Sequence, residues 1–179
     1  MPTLDATVGG LASNSYLTLD QALAIAEIVL SGPAYQAFLN QATDDRSVCL
    51  MRATRMIERS FEWSGYKVDD DQALAWPRYS GADIAGSSNT LIYGQTTIPV
   101  DVLDATVMLA SYIAQGYTET DSLGSPATNI KLGPISIAFD SNKTKSKSTI
   151  PEDVISTLNK LGTYMGVSSG GRAISLERS

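Results

Sequence analysis

Asp69-Asp70-Asp71, Trp76-Pro77-Arg78 and Lys143-Thr144-Lys145-Ser146-Lys147 hold the side chains whose chemistry bears on function. The three aspartates offer hard oxygen ligands to a divalent cation. A calcium loop, however, spaces its ligands at alternate positions and closes with a bidentate glutamate, and neither feature is present. The run reads as a turn and N-cap ahead of Gln72-Ala73-Leu74. Lys143, Lys145 and Lys147 set three cations at alternate positions of a polar tip. They are placed to meet DNA phosphates or an acidic partner, although a solubilising loop would look the same. No aromatic residue is interleaved with them for base stacking. Pro77 keeps Trp76 out of helical backbone, so the indole can anchor a loop on the core and leave Arg78 held outward toward a neighbouring subunit.

The absences narrow the chemistry further. The sequence has no histidine and a single cysteine, Cys49. The usual general base near neutral pH, the Ser-His and Cys-His dyads, a disulfide framework and a thiolate metal cluster are therefore excluded. No glycine-rich phosphate cradle is spelled out. The expectation is a protein that is not an enzyme and carries no cofactor or metal. A formal net charge of −6 argues against a broadly basic nucleic-acid surface. No run approaches the roughly 20 apolar residues that cross a bilayer, so no membrane partner is expected.

The elements that must position these groups are mostly helical. Thr18-Leu19-Asp20-Gln21 spells a capping box, followed by Ala22, Ile25, Ala26 and Val29 at helical spacing, which predicts a helix over about 19–30. Pro33 opens a short second helix through Tyr35, Phe38 and Leu39. Thr43-Asp44-Asp45 supplies an N-cap to a third helix, about 44–62, with Leu50, Thr54, Ile57 and Phe61 on one face. Arg46, Arg52, Arg55, Glu58 and Arg59 fall on its other faces and read as a solvated surface with modest ion pairs. Residues 63–97 lose periodicity and form a long irregular connection.

Ile98-Pro99 restarts order with a fourth helix to about Gln115, whose face of Val102, Leu103, Ala105, Val107, Leu109, Ala110, Ile113 and Ala114 belongs in the core. Ile130 and Leu132, then Ile135, Ile137 and Phe139, alternate on either side of Gly133-Pro134, as a bulged strand or tight hairpin would. Thr149-Ile150-Pro151-Glu152 repeats the capping-box logic before a fifth helix with Val154, Leu158 and Leu161. The fold class is thus mainly α, a bundle of four to five helices with a small β element. It fills one domain over residues 1–162, and an extended tail runs over 163–179. Within the tail, Arg172, Ile174 and Leu176 form an alternating segment suited to augmenting another chain's sheet.

Several of these segments, in order, resemble the head-to-tail connector (adaptor) proteins of tailed bacteriophages. They are Ser15-Tyr16-Leu17-Thr18-Leu19-Asp20, Arg52-Ala53-Thr54-Arg55-Met56-Ile57, Leu74-Ala75-Trp76-Pro77-Arg78, Ile98-Pro99 with Asp104-Ala105-Thr106, and Lys131-Leu132-Gly133-Pro134-Ile135-Ser136-Ile137. Some members of that group carry a DnaT-like single-stranded-DNA-binding label. The resemblance implies a homo-oligomeric ring, typically twelvefold. Such a ring is made in the bacterial host cytoplasm and sits in the virion neck, between the portal protein and tail or nozzle proteins, around the channel through which double-stranded DNA leaves the head. Trp76, Arg78, Arg172, Ile174 and Leu176 would then be candidates for subunit or portal contacts, and Lys143, Lys145 and Lys147 for a channel or acidic-partner contact. Single-stranded-DNA binding is the alternative function.

Overall fold

The computed structural model describes residues 3–79, 94, 96–117, 129–132, 135–138 and 150–166. The chain builds α1 (Leu19–Val29), α2 (Gly32–Leu39), α3 (Thr43–Ser60), β1 (Phe61–Trp63), β2 (Tyr66–Lys67), β3 (Arg78–Tyr79), α4 (Val100–Ala114), β4 (Asn129–Leu132), β5 (Ile135–Ala138), α5 (Glu152–Leu158) and β6 (Gly162–Tyr164). α4 packs against α1, α2, α3 and α5 and is the axis of the bundle. Its buried positions include Ala105, Thr106, Ala110 and Ser111 beside Val102, Val107 and Leu109. Small residues allow helices to close on it from several sides. The buried hydroxyls of Thr106 and Ser111 donate to carbonyls of their own helix, Val102 O at 2.7 Å and Met108 O at 2.7 Å, so neither is left unsatisfied.

The local signals are met unevenly. At α1 the capping box forms in full, with Thr18 Oγ1 accepting from Gln21 N and Gln21 Oε1 accepting from Thr18 N. α3 takes Ala42 as its N-cap and places Thr43 inside the helix, while Asp44 and Asp45 supply first-turn charge that complements the helix dipole. α5 is capped by Pro151 with no side-chain cap bond, and Thr149 of the expected box lies outside the described residues.

Among the described residues, three antiparallel strand pairs accompany the helices: β1 with β6, β2 with β3, and β4 with β5. The last is the hairpin form of the expected β element, with Ile130 opposite Ile137. The first two lie where the sequence reading placed helix, irregular connection and tail. α3 stops at Ser60 and Phe61 turns extended. β6 then brings 162–164 back into the body, with Trp63 opposite Gly162 and Phe61 opposite Tyr164. Gly162 is needed for this approach, because a Cβ there would lie 2.6 Å from Glu62 O. Phe61 stacks on Trp63 at 5.3 Å between ring centroids, and Trp63 meets Trp76 edge-on at 5.7 Å, so an aromatic cluster closes the end of the bundle.

Candidate nucleic-acid interface

Arg52, Arg55 and Arg59 recur at i, i+3 and i+7 of α3 and are exposed. At 1.5 Å of rise per residue they form a basic stripe about 10 Å long. The stripe lies in an open groove of about 890 Å³ running along α3. Ser13, Asn14, Ala73 and Leu74 line it together with the helix, and Gln41, Ile113 and Ala114 also belong to its lining. Asp45 belongs to its N-terminal part, so basic charge gathers toward the C-terminal part. Arg52 and Arg55 have no ion-pair partner among the described residues.

Three further groups define the groove's interior. Thr54 is 1% exposed, and its hydroxyl has no hydrogen-bond partner. Cys49 is buried, and burial pushes its thiol above the usual range, which disfavours the thiolate. Glu58 faces the loop 68–77 and not the neighbouring arginines: it accepts from Tyr16 Oη and, at 2.9 Å, from the Ala75 amide. Burial raises the Glu58 carboxyl above its ordinary value, partly offset by those two donors and by Lys67 and Arg78. The same burial, with Glu58 alongside, raises the Tyr16 phenol well above its usual range. Glu58, the acid between Arg55 and Arg59 on the helix, is thus engaged by Tyr16 and the Ala75 amide.

The loop that forms one wall is held by its own polar network. Gln72, 3% exposed, donates through Nε2 to Leu74 O at 2.7 Å and Pro77 O at 3.1 Å. Its Oε1 accepts from Asp69 N at 3.2 Å. Asp69 Oδ1 in turn accepts from Asp71 N at 3.0 Å. The triple aspartate is therefore a turn, as expected, but no helix follows it. No cluster of metal-ligating side chains occurs among the described residues.

The residues singled out from sequence fall in several places. Trp76 is 4% exposed, inside the aromatic cluster, and the Trp76–Pro77 peptide is cis. Arg78 was expected to point outward, but its guanidinium turns inward. It donates to Ser64 O at 2.9 Å, Ala75 O at 3.3 Å, Trp63 O at 3.4 Å and Gly65 O. Arg78 is a clamp for the β1–β2 turn, because carbonyls with no ladder partner there need a donor and a guanidinium supplies several in one plane. Lys143, Lys145, Lys147, Arg172, Ile174 and Leu176 lie outside the described residues. The groove itself escaped the sequence reading. The spacing of Arg52, Arg55 and Arg59 is visible in the chain, but the wall that turns a solvated face into a groove comes from distant segments.

No helix among the described residues is long and apolar enough to cross a membrane. No curated protein and no solved structure matches the chain. A family model described as "Putative DnaT-like ssDNA binding protein" matches residues 4–179. With that match spanning nearly its whole length, the chain belongs to this DnaT-like family.

Proposed function

We propose that the protein binds single-stranded DNA, with the phosphate backbone laid along the arginine stripe of α3. The observation that carries this reading is the alignment of Arg52, Arg55 and Arg59 in one groove, where the carboxylate of Glu58 is taken up by Tyr16 and the Ala75 amide. A single strand is flexible enough to follow a curved groove, and guanidinium groups meet phosphates through several donors at once. The family description adds support of a separate kind. The net charge of −6 favours a local contact over a broadly basic surface. The reading calls for no cofactor and no turnover. It is tested by replacing Arg52, Arg55 and Arg59 with glutamine in the full chain. The triple variant should stay folded and lose binding to an unstructured oligonucleotide, and unchanged affinity would exclude the groove.

A ring in the phage neck is the second reading, favoured by a different observation. Val8, Leu11, Ile28, Val100 and Met165 are exposed, with Ile28 at 84% and Leu11 at 74%. Subunit packing would cover such side chains. In this reading the ring joins the portal to tail proteins, residues 172–179 reach the portal, and an acidic wall lets double-stranded DNA slide through. Light scattering on the protein alone and with portal decides it: a discrete high-mass species supports the ring, and a monomer in both samples opposes it.

A further inference from the structure

We propose that Tyr66 and Tyr79 form a stacking platform for the bases of a bound single strand, beside the groove that takes its phosphates. This inference rests on the single-stranded-DNA reading and extends it from backbone to bases. Among the described residues only two aromatic side chains are exposed, Tyr66 at 71% and Tyr79 at 40%. They come from positions 13 apart in sequence, yet they are direct cross-strand partners in the β2–β3 ribbon. Residues opposite one another in an antiparallel pair project from the same face, with Cα atoms about 5 Å apart. The two rings therefore share one side of the ribbon, and Lys67 and Arg78 occupy the other.

Exposing two tyrosines side by side forgoes the burial that the chain gives its other described aromatics, such as Phe61, Trp76 and Tyr16. A flat amphipathic ring suits a nucleobase, which has π-faces to stack and polar edges to leave in water. The platform is also rigid. The Arg78 clamp holds the carbonyls of Trp63, Ser64 and Gly65, immediately before Tyr66. The Val68 amide donates to Pro77 O at 3.3 Å and closes the ribbon on the other side.

The ribbon is joined to the groove through the chain. Ala73 and Leu74, on the groove lining, belong to the segment that joins β2 to β3. Arg59, at the C-terminal end of the stripe, is followed by β1 and then by Tyr66. The Lys67 and Arg78 charges act on Glu58 of the groove lining, so the ribbon turns that face to the groove and the tyrosines lie on its far face. In the proposal, a strand with phosphates on Arg52, Arg55 and Arg59 leaves the groove past Arg59 and crosses the edge of the ribbon to bring its bases to the two rings.

The test measures binding by fluorescence anisotropy at low salt, using the full chain and two labelled strands of equal length, oligothymidylate and its abasic counterpart. Stacking accounts for roughly five- to hundredfold in affinity per base. The variant Y66A/Y79A should therefore bind oligothymidylate at least about tenfold more weakly than the unaltered protein, while both bind the abasic strand alike. Y66F/Y79F should keep oligothymidylate binding, because stacking needs the ring and not the hydroxyl. Circular dichroism and the melting temperature of each variant check that the fold is intact. Equal oligothymidylate affinity for Y66A/Y79A and the unaltered protein would overturn the platform while leaving the groove standing. A changed mass in solution with unchanged DNA affinity would assign the tyrosines to a protein contact and overturn it too. Failure of the unaltered protein to bind either strand would remove the underlying reading and the platform together.

Discussion

Glu58 shows how one residue can belong to both core and site. Its position on α3 suggests a surface carboxylate paired with Arg55, and the sequence gives no cue that Tyr16, 42 positions earlier, and the Ala75 amide enclose it. Burial raises its carboxyl above the ordinary 4.5. A raised folded-state value means that the folded protein holds this proton more tightly than the unfolded chain does. Its contribution to stability is therefore fully present below about pH 4.5 and is lost as pH rises through the raised value. Glu58→Gln stays neutral throughout and lacks that loss. Urea midpoints followed from pH 4 to pH 7 should show the unaltered protein declining relative to the glutamine variant, whereas parallel profiles would mean that Glu58 ionises without cost. Arg78 teaches the converse lesson. Its charge and its place after Trp76-Pro77 suggested an outward contact, but exposed carbonyls in the β1–β2 turn draw it inward. Sequence marks a cation; which acceptors lie within reach is set by the tertiary fold.

At the scale of elements, legibility followed sequence distance. α1, α3 and α4 were readable because their apolar spacing repeats over several turns, and the observed bounds differ from the expected ones by a few residues at most. The β4–β5 hairpin was readable because Gly133-Pro134 sits between two alternating runs. β1 and β6 were not, since each has three residues and exists only through a pairing of positions about 100 apart. The cue that was available is Gly162, read as the last residue before the tail but required by close strand approach. Gly162→Ala would push a methyl group against Glu62 O, only 2.6 Å from the Cβ position. Overpacking of this kind costs about 1–3 kcal/mol, so a lowered denaturation midpoint with α-helical signal retained up to the transition is the expected result. An unchanged midpoint would mean that the β1–β6 pairing yields easily. α4 and α5 are tied at their polar edge by Tyr112 Oη donating to Asp153 Oδ2 at 2.7 Å, a bond that helps push the phenol up to about 12. Lys160 also pairs with Asp101 at 2.8 Å, but more than half of the lysine side chain is exposed, so this contact adds little.

For the whole molecule, charge and shape divide the surface by task. In the proposed reading, an acidic protein whose described residues include an arginine groove and an aromatic ribbon touches a polyanion locally, while its exposed apolar side chains suit protein contacts. Deleting residues 172–179 separates these tasks: oligonucleotide affinity and melting temperature should hold, and portal capture in pull-down should fall if the neck reading is correct. Normal portal capture after the deletion would remove the tail from that reading. The central claim, phosphate binding by three aligned arginines, is tested most directly by the salt dependence of single-strand affinity. Each neutralised phosphate adds about −0.7 to the slope of log K against log salt, so the unaltered protein should give about −2 and Arg55→Gln about −1.4, with weaker binding at every salt concentration. A slope near zero, or one unchanged by Arg55→Gln, would contradict the account.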